Sequence, residues 1–235
     1  MNNQEFLRVI SNSFTTFLDT GSRSNEKLKI LHGAIANDLL LRLGKNYDIK
    51  SLGFGDGREG NIGGRYIDKK VDITILEGHE AVAGIGVKFV MQNYSQNSNN
   101  YFENMLGETA NIRCSNVPYF QIFIVPERIP YYKKNGDFHD WELFTAHHAY
   151  KYLKLSEDNT ELSIHTPTKI LLYVVKLPEL PSPPLDRDEY NDFYRSMKTI
   201  PVTLSNADLG QFRKAVVFND YNTFAVKVVH HVKSL

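Results

Sequence analysis

Val71-Asp72-Ile73-Thr74-Ile75, the turn Glu77-Gly78-His79-Glu80 and Ala83-Gly84-Ile85-Gly86-Val87-Lys88-Phe89-Val90 decide how this chain is read. Both apolar runs are short, rich in β-branched residues and bounded by turn residues. They read as two strands of a hairpin, over residues 65–76 and 81–91. Side chains alternate along a strand. Ile67, Val71, Ile73 and Ile75 therefore share one face of the first strand, and Ala83, Ile85, Val87 and Phe89 one face of the second. The opposite faces carry Asp68, Lys70, Asp72 and Thr74, and Val82, Gly84, Gly86 and Lys88. A tight turn near His79 sets Asp72 opposite Gly86, with Lys88 one pleat away. One side of the hairpin is core; the other gathers an acid, a lysine and two glycines.

Aspartate is disfavoured inside strands. One account of Asp72 and Lys88 is a cross-strand ion pair on a solvated face. The glycines favour another, because Gly84 and Gly86 weaken a strand and imply that something approaches the backbone closely. A bound Mg²⁺ fits: it takes one or two carboxylates plus waters and phosphate oxygens, and it activates an attacking water. A neighbouring lysine can orient that water or stabilise developing negative charge.

Outward from the hairpin, Phe6, Leu7, Ile10, Phe14, Phe17 and Leu18 have helical spacing, closed by Thr20-Gly21-Ser22. A second helix starts at Ser24 or Asn25, carries Leu28, Leu31, Ile35 and Leu39, and stops at Gly44. Residues 52–64 hold six of the 15 glycines and read as a loop or a strand–turn–strand. Residues 92–100 read as a polar loop, 100–114 as a helix and Tyr119 to Val125 as a strand closed by Pro126. Trp141 to Leu155 reads as a helix and Lys169 to Val175 as a strand. Pro178, Pro181, Pro183 and Pro184 mark an extended linker. Asp188 to Met197 and residues 207–218 read as helices, and 223–233 as a strand or a helix. The expectation is one α/β domain over 1–235 with a mixed central sheet flanked by helices.

Asp72, with Gly86-Val87-Lys88 on the next strand, resembles the PD-(D/E)XK nuclease superfamily, and type II restriction endonucleases within it. The element order over about 24–125, with 169–176, is similar to that family's restriction-endonuclease-like αβββαβ core. The resemblance implies Mg²⁺-dependent cleavage of double-stranded DNA at a specific site, with Asp72 as a metal ligand and Lys88 in the catalytic lysine position. It also implies a homodimer, matching a two-fold symmetric site, and a cognate DNA methyltransferase in a restriction–modification system. Two positions depart from the pattern: Val71 stands where the family has proline, and Gly86 where it has an acid. Some members supply the second carboxylate from the following helix. Here Glu103 and Glu108 stand on it, and the missing side chain at Gly86 leaves room. Spacing favours Glu103 as the second catalytic and metal-binding carboxylate, since it lies away from Tyr101, Met105, Leu106 and Ile112; Glu108 lies nearer their edge. Glu26 resembles the acid on the family's first helix that completes the metal site through water. As a first-turn glutamate it is already explained by the helix dipole. Two alternatives follow: a repair or junction nuclease on the same core, or an inactive DNA-binding module, because of Gly86.

Asn93, Gln96, Asn97 and Asn99, in the polar run, are candidate DNA contacts, since Asn and Gln can bond adenine bidentately. Arg58, Arg65, Lys69 and Lys70 are candidates for phosphates, as is Tyr131-Tyr132-Lys133-Lys134. With 27 basic and 27 acidic side chains the chain carries no net charge, which argues against nonspecific electrostatic DNA binding. His147-His148 and His230-His231 are adjacent pairs, and His139, His147 and His165 lack zinc-motif spacing. There is no Gly-x-Ser-x-Gly elbow. The one cysteine, Cys114, precludes an intrachain disulfide and fits a reducing compartment. No signal-peptide pattern and no membrane-length apolar run is present, so the expected location is the cytoplasm, with no membrane partner.

Overall fold

The apolar spacing near the N-terminus becomes α1 (Asn3–Thr20), opened by a reciprocal capping box between Asn2 and Glu5. The computed structural model describes residues 1–21 and 23–235; Ser22, the last residue of the expected break, lies outside the described residues. Next comes α2 (Glu26–Leu43), closed at Gly44, with the Ser24 hydroxyl accepting from the Glu26 amide. The first strands are β1 (Tyr47–Ser51), β2 (Gly60–Ile62), β3 (Lys69–Val71), β4 (Ile73–Glu77) and β5 (Glu80–Phe89). They lead to α3 (Ser98–Arg113), β6 (Tyr119–Pro126), β7 (Arg128–Tyr132), β8 (Phe138–Leu143) and α4 (Ala146–Ser156). The last elements are β9 (Lys169–Lys176), α5 (Arg187–Arg195), β10 (Thr203–Leu204), β11 (Val216–Phe218) and α6 (Tyr221–Lys233).

Among the described residues the main sheet runs β1-β4-β5-β6-β9-β10, with β11 also on the outer edge of β9. The strands β1, β4 and β5 are antiparallel, whereas β5, β6 and β9 are parallel, so the sheet is mixed as expected. Helices cover both faces. Phe120, Ile122 and Ile124 of β6 pack with Leu171, Tyr173 and Val175 of β9 under α1, α2 and α6. Phe123, Val125, Leu172 and Val174 point the other way, against α3 and α4. This double coverage explains why β6 and β9 read as continuous apolar runs instead of alternating ones. The pairs β2–β3 and β7–β8 form separate two-stranded ribbons.

Four local expectations are corrected. The first hairpin strand is not continuous over 65–76: it breaks at Asp72 into β3, paired with β2, and β4, paired with β5. The 92–100 run is not an open loop, because a 3₁₀ turn spans Ser95–Asn97 and α3 starts at Ser98. Trp141 and Leu143 belong to β8; α4 begins only after its N-cap residue Thr145. Residues 207–218 form no helix: Gly210 is in the left-handed region (φ 94°), and only β11 is regular. The open choice at 223–233 resolves as helix. Asp220 caps it, and Tyr221, Phe224, Ala225, Val228 and Val232 form its buried stripe.

Candidate functional site

Asp72 stands where the chain leaves the β2–β3 ribbon and enters β4. The register Ile73↔Ile85 continues to Asp72 opposite Gly86, the juxtaposition expected from the sequence. Its carboxylate Oδ2 accepts the Val87 amide hydrogen at 2.7 Å. Burial raises the Asp72 pKa from its ordinary 3.8 to about 6; the Val87 bond opposes this, Glu108 adds to it, and Lys88 and Lys69 act against it.

Two residues not singled out in the sequence meet Asp72. On the ribbon, Gly60 pairs with Val71, so Glu59 lies one step beyond, at the level of Asp72. From α2 comes His32, fully buried, with neither ring nitrogen hydrogen-bonded among the described residues. Ligand atoms of His32, Glu59 and Asp72 all lie within 4.8 Å of one another, a group that could hold a metal ion. Burial lowers the His32 pKa from 6.5 to about 4, with Glu59 opposing, so the ring is neutral at pH 7 and able to act as a ligand. The glycines explain how Glu59 gets there. A Cβ on Gly33, next to His32, would stand 2.5 Å from the Gly53 carbonyl oxygen. A Cβ on Gly53 would stand 2.1 Å from the Lys29 carbonyl oxygen, and its φ of +72° already favours glycine. The glycine-rich loop is thus pressed onto α2, and the chain leaves it at Glu59.

Two adjoining clefts, of about 500 and about 300 Å³, share Asp72, Val87, Lys88 and Tyr101. His32 lines the larger, whereas Glu108 and Gln121 line the smaller. The Lys88 side chain is exposed overall, but its ammonium lies over the Tyr101 ring, 4.4 Å from the centroid. Desolvation there lowers its pKa, with Asp72 pulling the other way. Among the described residues no direct ion pair joins Asp72 and Lys88, which removes the simple surface-pair account.

The room expected at Gly86 is already filled. A Cβ there would lie 2.6 Å from both the Gln121 amide nitrogen and the Tyr119 hydroxyl, and one on Gly84 2.7 Å from Ile62 Cδ1. The close approach that the two glycines signal is therefore made by the protein's own side chains. Glu108 acts on this place electrostatically: burial first, then the Glu108 and Asp72 carboxylates, push the Tyr119 pKa well above its ordinary value. Lys69 pairs with Glu108 at 3.1 Å.

The preference for Glu103 over Glu108 is corrected by position. Glu103 is exposed, lines neither cleft, and has Lys151 of α4 as its electrostatic neighbour. The helical turn that carries Glu108 toward β5 and β6 turns Glu103 away. Glu26 also stays outside, exposed and paired with Lys29 at 2.6 Å. Of the polar run, Asn93, Gln96 and Asn97 line the larger cleft and Asn99 does not. The Asn93 amide is consumed internally, bonding both the Tyr132 amide (3.0 Å) and carbonyl (3.1 Å). Gln96 donates to the Tyr131 hydroxyl, and Asn99 accepts from Lys151 at 3.3 Å. Asn97 alone of the four has a side chain that makes no hydrogen bond among the described residues. Arg58, Arg65 and Lys70 are exposed on the loops and the β2–β3 ribbon.

One signal for His32 was present in the sequence: the glycine beside it. Gly33 sits inside a helix at a cost of about 1 kcal/mol relative to alanine, which calls for a packing reason. No sequence spacing linked His32 to Glu59. No family model, curated protein or solved structure matches the chain.

Proposed function

We propose that this protein is a metal-dependent endonuclease that hydrolyses phosphodiester bonds in double-stranded DNA. The carrying observation is Asp72: the Val87 amide holds it at one edge of a cleft shared with Lys88, and it belongs to one potential ligand group with His32 and Glu59. With the β2–β3 ribbon taken as an insertion, the main-sheet order α2–β1–β4–β5–α3–β6 supports the restriction-endonuclease-like reading, since it follows the αβββαβ sequence that the resemblance implies. The donor set fits a divalent cation: two carboxylates and a neutral, otherwise unbonded imidazole. Mg²⁺ is the ion the resemblance implies. Bound there, a divalent cation would polarise the phosphodiester and make water a better nucleophile.

The remaining work falls to side chains. Lys88, partly desolvated over Tyr101, is positioned to hold the attacking water or offset charge growing on the phosphate. The Val87 amide fixes the orientation of Asp72. Glu108, Tyr119 and Gln121 form the wall on which the strand carrying Lys88 rests, so Glu108 acts as a positioning residue in this account. Site-specific cutting by a homodimer, paired with a methyltransferase, is the form we favour. Repair or junction cleavage would use the same residues.

A specific observation favours a second reading, the inactive DNA-binding module: Gln121 and Tyr119 fill the space where the family places its second acid. Digestion of a mixed-sequence plasmid separates the two. Discrete fragments with Mg²⁺ or Mn²⁺ and none with EDTA support the nuclease. Metal-independent binding without cleavage supports the module, and structure-selective nicking supports the repair enzyme.

A further inference from the structure

His32 gives the ligand group a chemistry that a carboxylate-only Mg²⁺ site lacks. The ring is fully buried, and among the described residues both nitrogens are without a hydrogen bond. A buried polar group left unpaired costs about 1–3 kcal/mol, so an apolar residue would serve α2 better if packing were the only task. Instead the imidazole faces two carboxylates whose oxygens lie within 4.8 Å of its nitrogen and of each other. Two donors on opposite sides of one ion, each bonded at about 2.2 Å, stand about 4.4 Å apart. The 4.8 Å limit on this group is close to that widest span, so side-chain movement within the group closes it around an ion. The larger cleft, lined by His32, Asp72 and Lys88, gives ion and water a route in.

We infer that His32, Glu59 and Asp72 form a mixed nitrogen–oxygen site that takes Mn²⁺, or a similar first-row transition ion, in preference to Mg²⁺, with His32 bonding the ion directly. This rests on the metal-dependent reading above. Mg²⁺ is a hard cation that seeks oxygen and gives up its waters reluctantly. Imidazole suits the transition ions, and affinity for them rises from Mn²⁺ through the later metals. Replacing one of three protein oxygens by nitrogen shifts the preference away from Mg²⁺. Three protein ligands also leave coordination positions for water and a phosphate oxygen.

The test is metal binding to the EDTA-stripped full chain, followed calorimetrically with Mn²⁺ and with Mg²⁺, and by pulsed electron paramagnetic resonance of bound Mn²⁺. One Mn²⁺ is expected per chain, bound about tenfold or more tighter than Mg²⁺. The spectrum should show ¹⁴N coupling from a directly bonded nitrogen, absent in His32→Gln. If that variant does not fold, wild-type protein with ¹⁵N-labelled histidine gives the same answer, since the coupling must change isotope. Equal Mn²⁺ and Mg²⁺ affinities, no nitrogen coupling, or no bound ion at all would overturn the inference. Plasmid cleavage fails or succeeds separately: cutting with Mg²⁺ and no nitrogen coupling keeps the nuclease and removes His32 as a ligand, whereas tight Mn²⁺ binding with no cutting under either ion does the reverse.

Discussion

Asp72→Asn should make the metal-free protein more stable at neutral pH, and the size of the gain follows from the site. In the folded chain burial holds the Asp72 carboxyl at about 6 instead of 3.8. One unit of pKa is worth about 1.4 kcal/mol, so the ionised group costs the fold on the order of 3 kcal/mol above pH 7. The sign is fixed by proton uptake. Between pH 3.8 and about 6 the folded chain holds a proton at Asp72 that the unfolded chain has released, so this group's contribution to stability falls as pH rises. His32 acts in the opposite direction. Its pKa is about 4 folded against 6.5, so its neutral burial is favourable at pH 7 and is lost as pH falls through that window. In the wild type the two slopes oppose each other between about pH 4 and 6. Asparagine keeps an acceptor for the Val87 amide but removes the charge, which exposes the His32 slope. Urea unfolding in EDTA should show the variant about 3 kcal/mol more stable at pH 7.5, and less than about 1 kcal/mol so at pH 4. In thermal scans at pH 7.5 this corresponds to a rise of about 6–12 °C. Added Mn²⁺ should reverse the ranking, because only the wild type gains binding energy. A variant no more stable than wild type at pH 7.5, or equally stabilised at both pH values, would refute the reasoning.

Gly53→Ala places a Cβ 2.1 Å from the Lys29 carbonyl oxygen at a φ of +72°. It should cost about 2–4 kcal/mol from left-handed strain and overpacking, and weaken Mn²⁺ binding by moving the loop that ends at Glu59; thermal scans and calorimetry check both. Glu103→Gln should leave cleavage unchanged, since that side chain faces Lys151 and solvent. Glu108→Gln should lower kcat with little change in KM, by loosening the Lys69 pair and the Tyr119–Gln121 wall; steady-state kinetics on a single-site substrate distinguishes the two.

The scaffold was legible where one period dominated. The alternation around Asp72 and Lys88, the stripes of α1 and α2, and the runs of β6 and β9 each had a single consistent reading. It failed where local pattern and tertiary pairing diverged. Trp141 and Leu143 looked like the start of the helix that Tyr152 and Leu155 belong to, but their backbones pair with Pro130 and Arg128 in a ribbon. Val226, Val228 and Val229 favour strands individually, yet the stripe from Tyr221 to Val232 and the Asp220 cap make a helix. The site divided in the same way. Asp72 lies just before the start of β4 and Lys88 on its partner β5, so register brings them together visibly. His32 and Glu59 meet only because Gly33 and Gly53 let a loop lie against a helix, a contact without periodicity. The vacancy read at Gly86 was an inference about volume, and volume is set by neighbours. Tyr119 and Gln121 come from the adjacent parallel strand, whose register to β5 the sequence did not specify.

Lys88→Ala tests the central claim most directly, because Lys88 is exposed and its loss should leave folding and metal binding intact. Wild type and variant, both loaded with saturating Mn²⁺, would be compared in single-turnover cleavage of plasmid DNA. The account predicts discrete fragments from the wild type and none from a variant with unchanged melting temperature and Mn²⁺ affinity. Undiminished cleavage by that variant would contradict it.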